Sequence, residues 1–104
     1  MIRKTFLMSV DRENYVEYEK RHRAIWPEVL AVLKEYGVHN YSISLDRETG
    51  LLFGYAEIES EERWEAIGQT EICKKWWNHM KDIMPSDDTG KRHSRDLHEV
   101  FHME

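Results

Sequence analysis

Tyr18 and His22 lie four positions apart, at a spacing that could support acid–base chemistry. On a helix this spacing brings the two side chains together on one face. Histidine gains or loses a proton near neutral pH and is the commonest general acid or base in enzymes. A half-buried histidine that only hydrogen-bonds to a backbone carbonyl would show the same pattern. The two residues alone therefore leave both interpretations open.

Tyr41 lies in the segment VHNYSISLD, where it alternates with Ile43 and Leu45. The alternation predicts a strand that carries these three side chains on one face, together with His39. Tyr41 and Tyr18 would then present their hydroxyl groups over an apolar floor, which is typical of a pocket for a sugar or another polyol. A packed tyrosine whose hydroxyl is hydrogen-bonded inside the fold is the alternative.

Adjacent tryptophans, Trp76 and Trp77, occur in the stretch KKWWNHMKDIMP. Neighbouring side chains on a helix point about 100° apart, so both indoles cannot occupy the same core position. Helical spacing predicts a core stripe formed by Ile72, Trp76, Met80 and Ile83. Trp77 would lie at the edge of that stripe, where it could stack on a sugar ring and donate its indole N–H to a hydroxyl. It could equally fill an interface with a second chain.

The remaining histidines do not predict a metal site. His98 and His102 share one face of the predicted last strand, but four residues along a strand span about 13 Å, too far for one metal ion. His93 lies in the polar segment before that strand. The sequence also contains no glycine-rich phosphate loop, nucleophile elbow or dinucleotide-binding fingerprint.

The chain of 104 residues is expected to form one domain, over residues 1–104. Its net charge is -5 and its basic residues are dispersed among acidic ones, so nucleic acid is not expected as a partner. No segment approaches the ~18 apolar residues that span a bilayer, so no membrane association is expected. The single cysteine, Cys73, cannot form an internal disulfide, which fits the reducing cytoplasm.

A strand and a helical region come first in the predicted fold. The strand covers residues 2–10, and Asp11 after it is a candidate helix cap. Helical spacing begins at Tyr15, and Pro27 should kink this helix or begin a second one. Gly37 is expected to end the helical region.

Two strands follow, over residues 38–46 and 51–58, joined by the hairpin turn DRETG. In the first of them, Val38 is expected on the face opposite Tyr41. Gly54 inside the second strand indicates a bulge or a close approach of another group to the backbone.

Two further helical segments are predicted after Ser60 and Thr70, the second over residues 71–84. A polar loop over 86–95 precedes a last strand over 96–103. This order predicts an α+β fold, a ferredoxin-like βαββαβ subunit with its helices on one sheet face. The other face would carry too many apolar and aromatic residues to stay in water. A second copy is expected to cover it and form a dimeric barrel, unless a ligand does so.

Four segments of the sequence resemble the L-rhamnose mutarotase family. They are RHRAIWPEV after Tyr18, HNYSISLD, LLFGYAEIESEERW and KKWWNHMKDIMP. The resemblance extends from the N-terminus to about Pro85 and returns in DLHEVF, whereas residues 86–95 do not match. Each piece alone is a weak signal, but all of them in this order in so short a chain are specific.

The resemblance implies a homodimeric α/β barrel that interconverts the α and β anomers of L-rhamnose in the cytoplasm, without metal or organic cofactor. It places the proton donor on His22 and the sugar-binding residues on Tyr18, Tyr41, Trp76 and Trp77. Two other functions suit the same fold. One is a cofactor-independent or haem-handling monooxygenase, and the other is a non-enzymatic module that binds a small ligand.

Overall fold

A four-stranded antiparallel sheet forms the centre of the computed structural model, which describes residues 1–84 and 94–104. The strands are β1 (Ile2–Ser9), β2 (His39–Asp46), β3 (Leu51–Ile58) and β4 (Arg95–Asp96). Their order is β2-β3-β1-β4, so β3 lies between β1 and β2 and runs antiparallel to both. This is the ferredoxin-like arrangement that the order of segments predicts. His93 and most of the predicted loop 86–95 lie outside the described residues.

Within the described residues, four α-helices pack against one face of the sheet. They are α1 (Tyr15–Arg23), α2 (Pro27–Glu35), α3 (Glu61–Ile67) and α4 (Glu71–Met80), and a short 3-10 turn over Arg12–Asn14 precedes α1. The main buried cluster combines side chains of the sheet with side chains of the helices, among them Phe6, Met8, Leu52, Tyr18, Val29 and Trp76. Burial of this apolar surface holds the helices on the sheet.

Local sequence signals set several helix ends as predicted. Pro27 is the first residue of α2, where a missing N–H costs no hydrogen bond, so the helical region divides into two helices. Gly37 adopts a φ of +79°, a left-handed conformation that glycine accepts without strain. The hydroxyl groups of Ser60 and Thr70 each accept a hydrogen bond from the backbone N–H three residues later, and so cap α3 and α4.

Two local predictions are wrong. Asp11 does not cap a helix with its side chain; its backbone carbonyl accepts a hydrogen bond of 2.8 Å from the Asn14 N–H, because the chain enters a 3-10 turn before α1. The last helix ends at Met80 instead of residue 84. There the Ile83 N–H donates to the Met80 carbonyl at 3.1 Å, and this tighter bonding closes the helix.

An irregularity in β2 also reverses the prediction for Val38. The register of β2 against β3 shifts between His39 and Ser42, and Asn40 adopts a φ of 48°. Side chains alternate between the two sheet faces along a strand. One extra residue at this point therefore moves the residues before it to the opposite face from the one predicted. Val38 is therefore buried in the core, whereas His39 is exposed.

Gly54 is required by its neighbour on β1. It lies directly opposite Phe6 in the pairing of the two central strands. A Cβ atom on Gly54 would lie 2.3 Å from the Phe6 ring, so only glycine leaves room for the ring to cross the strand. The predicted close approach to the backbone is confirmed, and the approaching group is an aromatic side chain of the core.

The last strand is much shorter than the predicted 96–103. β4 covers only Arg95–Asp96, which pair with Leu7 and Phe6, and the Leu97 N–H then donates to the Thr5 carbonyl at 2.9 Å. No regular strand continues through residues 98–104 of the described chain. The alternation of apolar residues predicts extended backbone, but a strand also needs a paired neighbour, and β1 supplies one only briefly.

Candidate active site

A cavity of about 830 Å³ lies between the sheet and the helices. Its walls are mainly aromatic and aliphatic, with a few polar side chains. All of the site residues predicted from the sequence line this cavity, namely Tyr18, His22, Tyr41, Trp76 and Trp77. The fold thus brings together residues from α1, β2 and α4 that are far apart in the chain.

Tyr18 and His22 form the α1 side of the cavity. Their rings are stacked, with centroids 4.2 Å apart and an angle of 28° between the planes. His22 Nδ1 lies 3.1 Å from the Tyr18 carbonyl oxygen. A carbonyl oxygen only accepts, so Nδ1 carries a hydrogen and donates it. Nε2 is then the ring nitrogen whose protonation changes as the imidazole acts as acid or base.

Trp76 supports the histidine from α4. Its indole is 4% exposed and meets the His22 ring edge-on, with centroids 5.5 Å apart and planes at 86°. A second edge contact joins the Trp76 indole to Trp26, with ring centroids 5.1 Å apart. Trp76 is therefore both a core residue, as its spacing predicts, and a wall of the cavity.

Trp77 lies at the edge of the core and remains half-buried. Its indole packs closely over Gly68, where a Cβ atom would lie 2.8 Å from the outer edge of the ring. The adjacent tryptophans thus diverge as helical geometry requires, and both still border the same cavity. The absence of a side chain at Gly68 leaves space for the edge of the Trp77 indole at the end of α3.

Tyr41 occupies the sheet side of the cavity. Its ring contacts Phe6 at a centroid distance of 5.9 Å and Trp64 at 5.8 Å. These contacts fix the ring on the helix-covered face of β2, as the strand pattern predicts. The hydroxyl groups of Tyr18 and Tyr41 belong to side chains on opposite walls of the cavity, one from a helix and one from the sheet.

Arg21 ties the helix of His22 to the end of the helix of the tryptophans. Its guanidinium donates to the His79 carbonyl at 2.7 Å, to Asp82 at 2.9 Å and to Glu17 at 2.7 Å. The hydrogen bond from Arg21 holds the pKa of Asp82 below its usual range, and the same cause lowers the pKa of Glu17. This arrangement fixes the distance between His22 and the tryptophan pair.

The comparison with known proteins identifies the family. The family model described as "rhaM: L-rhamnose mutarotase" matches residues 3–103. The chain belongs to the L-rhamnose mutarotase family.

Two proteins named as L-rhamnose mutarotases match this chain over almost its whole length. The L-rhamnose mutarotase of Tolumonas auensis is 56% identical over 103 residues, which are 99% of this chain and 99% of the relative. The crystal structure of an L-rhamnose mutarotase from Formosa agariphila superposes with a TM-score of 0.91 at 36% identity, covering 100% of both chains. The family resemblance read from the sequence is confirmed.

A more distant solved structure bears on the monooxygenase alternative. A putative antibiotic biosynthesis monooxygenase from Nitrosomonas europaea has a TM-score of 0.65 at 14% identity, covering 97% of this chain and 100% of that chain. A likeness at this identity shows the ferredoxin-like fold alone. The match to the L-rhamnose mutarotase family, in contrast, covers residues 3–103.

The cavity also contains residues that the sequence did not single out. Phe6 and Trp64 complete its aromatic wall, and Asp96 and Ser94 line it from the region of β4. The Phe6 ring could have been suspected from Gly54 on the neighbouring strand, since a strand glycine often marks a close approach. Nothing local marks Asp96, because its position follows from strand pairing across most of the chain.

The described part of the chain, residues 1–84 and 94–104, contains neither a metal-ligand cluster nor a membrane-spanning helix. No three His, Cys, Asp or Glu side chains there are grouped closely enough to hold a metal ion. None of the helices in the same ranges has the length and apolar character needed to cross a membrane.

Proposed function

We propose that this chain interconverts the α and β anomers of L-rhamnose, with His22 as the proton donor. Tyr18, Tyr41, Trp76 and Trp77 would bind the sugar. The observation that carries the proposal is the placement of His22 at an aromatic cavity, stacked on Tyr18 and with Nδ1 bonded to a carbonyl. Membership of the L-rhamnose mutarotase family supplies the reaction.

The reaction needs two proton transfers. Loss of the proton from the anomeric hydroxyl and delivery of one to the ring oxygen break the bond between C1 and that oxygen, which gives the open-chain aldehyde. The C1–C2 bond rotates, and the C5 hydroxyl oxygen then adds to the other face of the carbonyl. The same two protons return, so the reaction needs no net acid or base. Each positioned transfer typically contributes ~10²–10⁴-fold in rate.

His22 Nε2 would protonate the ring oxygen during opening and recover the proton during closure. The hydrogen bond from Nδ1–H to the Tyr18 carbonyl fixes the imidazole orientation. Nε2 is therefore already oriented for proton transfer to the ring oxygen of a bound sugar. The edge contact of Trp76 restricts the same ring from α4. The base that takes the anomeric proton can be water or a tyrosine hydroxyl.

The apolar walls of the cavity suit a sugar that carries a methyl group where other hexoses carry a hydroxymethyl group. L-Rhamnose carries a methyl group at C6, which an apolar wall accommodates without leaving a hydroxyl unpaired. Discrimination against a sugar that adds a hydroxyl at this position is modest, roughly 10²-fold, since a hydrophobic pocket rejects an added hydroxyl only weakly. The half-buried indole of Trp77 offers a flat surface for the C–H face of the ring.

We also infer that the protein acts as a homodimer, formed through the sheet face that the helices leave uncovered. Phe53 on that face is 43% exposed and lies opposite Leu7 in the strand pairing. Apolar side chains after β4 are exposed as well, and they are Val100, Phe101 and Met103. A second copy of the same sheet would cover this surface through matching patches.

A cytoplasmic location completes the proposal. Cys73 is the single cysteine of the chain, so it cannot form a disulfide within the chain, and it is buried in a core cluster. A protein without an internal disulfide suits a reducing compartment.

Exchange spectroscopy of L-rhamnose by NMR tests the proposed activity directly. Cross-peaks between the α and β anomeric protons should grow with protein concentration near neutral pH. The same spectra of D-glucose measure the sugar preference. If L-rhamnose exchanges no faster than in buffer, the proposed activity is wrong, whatever the result with D-glucose.

A further inference from the structure

The pairing of β4 with β1 places Asp96 at the cavity. Asp96 lies opposite Phe6 in the register of β1 and β4. Directly opposed residues of an antiparallel pair share a face, so Asp96 lies on the helix-covered face with Phe6. Its side chain lines the cavity and is 69% exposed, so a ligand in the cavity can reach the carboxylate.

Lys4 holds this carboxylate in place. It precedes Phe6 by two positions on β1 and shares its face, and it is a buried charged residue at 6% exposure. Its ammonium group lies 2.8 Å from Asp96 Oδ2 and 2.8 Å from Glu61 Oε2. A buried ammonium requires such partners, so Lys4 fixes the direction in which the Asp96 carboxylate points.

The chemistry of the carboxylate differs from that of the histidine, tryptophan and tyrosine side chains at the cavity. The imidazole and the indoles at the cavity donate N–H groups, and the tyrosine hydroxyls donate or accept. An ionised carboxylate only accepts and has about four lone-pair sites, of which the contact with Lys4 uses Oδ2. Sugar hydroxyls are donors, and hydrogen bonds to charged groups are roughly twice as strong as neutral ones.

We propose that Asp96 binds a ring hydroxyl of the sugar and that Lys4 is the positioning residue that orients it. The inference rests on the proposed function, because it takes the cavity to be a sugar site. Asp96 would add to the proposed aromatic and histidine contacts a charged acceptor that Lys4 holds in place. A site built around such an acceptor selects against a sugar that lacks the matching hydroxyl.

Asp96→Asn tests the acceptor, and Glu61→Gln is the matched control. Both changes remove one carboxylate from Lys4, but only Asp96 lines the cavity. Tryptophan fluorescence titration with L-rhamnose should show an affinity loss of about tenfold or more for Asp96→Asn. Glu61→Gln should remain within about twofold of the wild type, and Asp96→Glu, which keeps the charge, should retain most of the affinity. Equal losses in Asp96→Asn and Glu61→Gln would overturn the proposal.

Monodeoxy analogues of L-rhamnose identify the hydroxyl that Asp96 binds, because removing that hydroxyl and removing the carboxylate should not have additive effects. Each analogue lacks one hydroxyl, at C2, C3 or C4. The wild type should bind one of these analogues less tightly than it binds L-rhamnose. The Asp96→Asn variant should lose that preference. Lys4→Met should weaken binding in the wild-type background and have no further effect in Asp96→Asn. Preferences that are unchanged in Asp96→Asn would overturn the proposal.

A measurement on the unmodified sequence covers the case in which these variants fail to fold. In protein with ¹³C-labelled aspartate carboxyl groups, the Asp96 resonance should shift on saturation with L-rhamnose, and an unmoved resonance would refute the contact. Failure of this inference is separable from failure of the proposed function. A wild type that accelerates anomer exchange, with an Asp96→Asn variant of unchanged affinity for L-rhamnose, refutes only the role of Asp96. A wild type that binds L-rhamnose through Asp96 without exchange refutes the proposed activity alone.

Discussion

The imidazole of His22 lies over the phenol ring of Tyr18, with centroids 4.2 Å apart, and is bonded through Nδ1 to the carbonyl of the same tyrosine. One residue thus restrains the histidine twice, by its side chain and by its backbone. The helical repeat makes this arrangement possible, because residues four apart are neighbours on one face. A fixed imidazole delivers a proton without the entropic cost of orienting itself in each turnover.

His22→Ala should lower the rate of anomer exchange by ~10² or more and leave L-rhamnose affinity within a few-fold. The loss should appear in kcat because the imidazole acts on the ring oxygen during chemistry. NMR exchange rates at saturating sugar measure it. His79→Ala is the matched control, since His79 contacts the same Trp76 at 5.6 Å. Full activity in His22→Ala would exclude His22 from the mechanism.

Trp77→Ala should weaken L-rhamnose binding by about tenfold, since it removes an aromatic platform from the cavity wall. The melting temperature should fall less than in Trp76→Ala, because Trp76 is 4% exposed and packs in the core. Fluorescence titration and thermal melts of both variants separate the two effects. Normal affinity with a large drop in melting temperature would make Trp77 a structural residue only.

Gly68→Ala should displace the Trp77 indole, because the new Cβ would lie 2.8 Å from its outer edge. The backbone of Gly68 is right-handed helical, so alanine itself fits the conformation. We expect weaker sugar binding with little change in stability. Gly54→Ala is the contrasting variant, since it collides with the Phe6 ring at 2.3 Å and should destabilise the core. Unchanged binding in Gly68→Ala would contradict a role for the indole position.

Asp82→Asn should make the melting temperature less sensitive to acid. The pKa of Asp82 is lowered in the folded state by the hydrogen bond from Arg21, so the folded protein binds this proton more weakly than the unfolded chain. The ion pair therefore stabilises the fold above the unfolded-state pKa of about 3.9, and its contribution is lost as pH falls through the lower folded pKa.

Thermal melts of Asp82→Asn between about pH 2 and 7 measure this dependence. The variant should melt a few degrees below the wild type at neutral pH and converge with it in acid. Glu28→Gln, the same kind of change at an exposed position of α2, serves as control. If the melting temperatures of Asp82→Asn and the wild type differ by the same amount at every pH, protonation of Asp82 is not coupled to folding.

The homodimer predicts a solution mass of twice the 12.6 kDa of one chain. Light scattering at micromolar protein should give this value for the wild type and a lower one for Phe53→Lys, which puts a charge on the uncovered sheet face. Val16→Lys, at an 82% exposed position on α1, should leave the mass unchanged. A wild type with the mass of one chain would contradict the dimer.

Features that depend on residues close together in the chain could be predicted from the sequence. The break before Pro27, the end at Gly37 and the caps at Ser60 and Thr70 each follow from the geometry of a few neighbouring backbone groups. The pairing of Tyr18 with His22 and the divergence of the tryptophans also follow from the helical repeat. Such interactions need no knowledge of the rest of the fold.

Features that depend on the register between distant strands could not be predicted from local patterns and are visible only in the folded chain. Val38 enters the core because a shift in the β2–β3 pairing exchanges the two faces, and the alternating pattern alone cannot locate that shift. Lys4 reaches Asp96 across 92 positions of sequence, and the last strand stops where its pairing with β1 stops. Each of these outcomes depends on a hydrogen-bonded partner or a buried counter-charge that another part of the chain supplies.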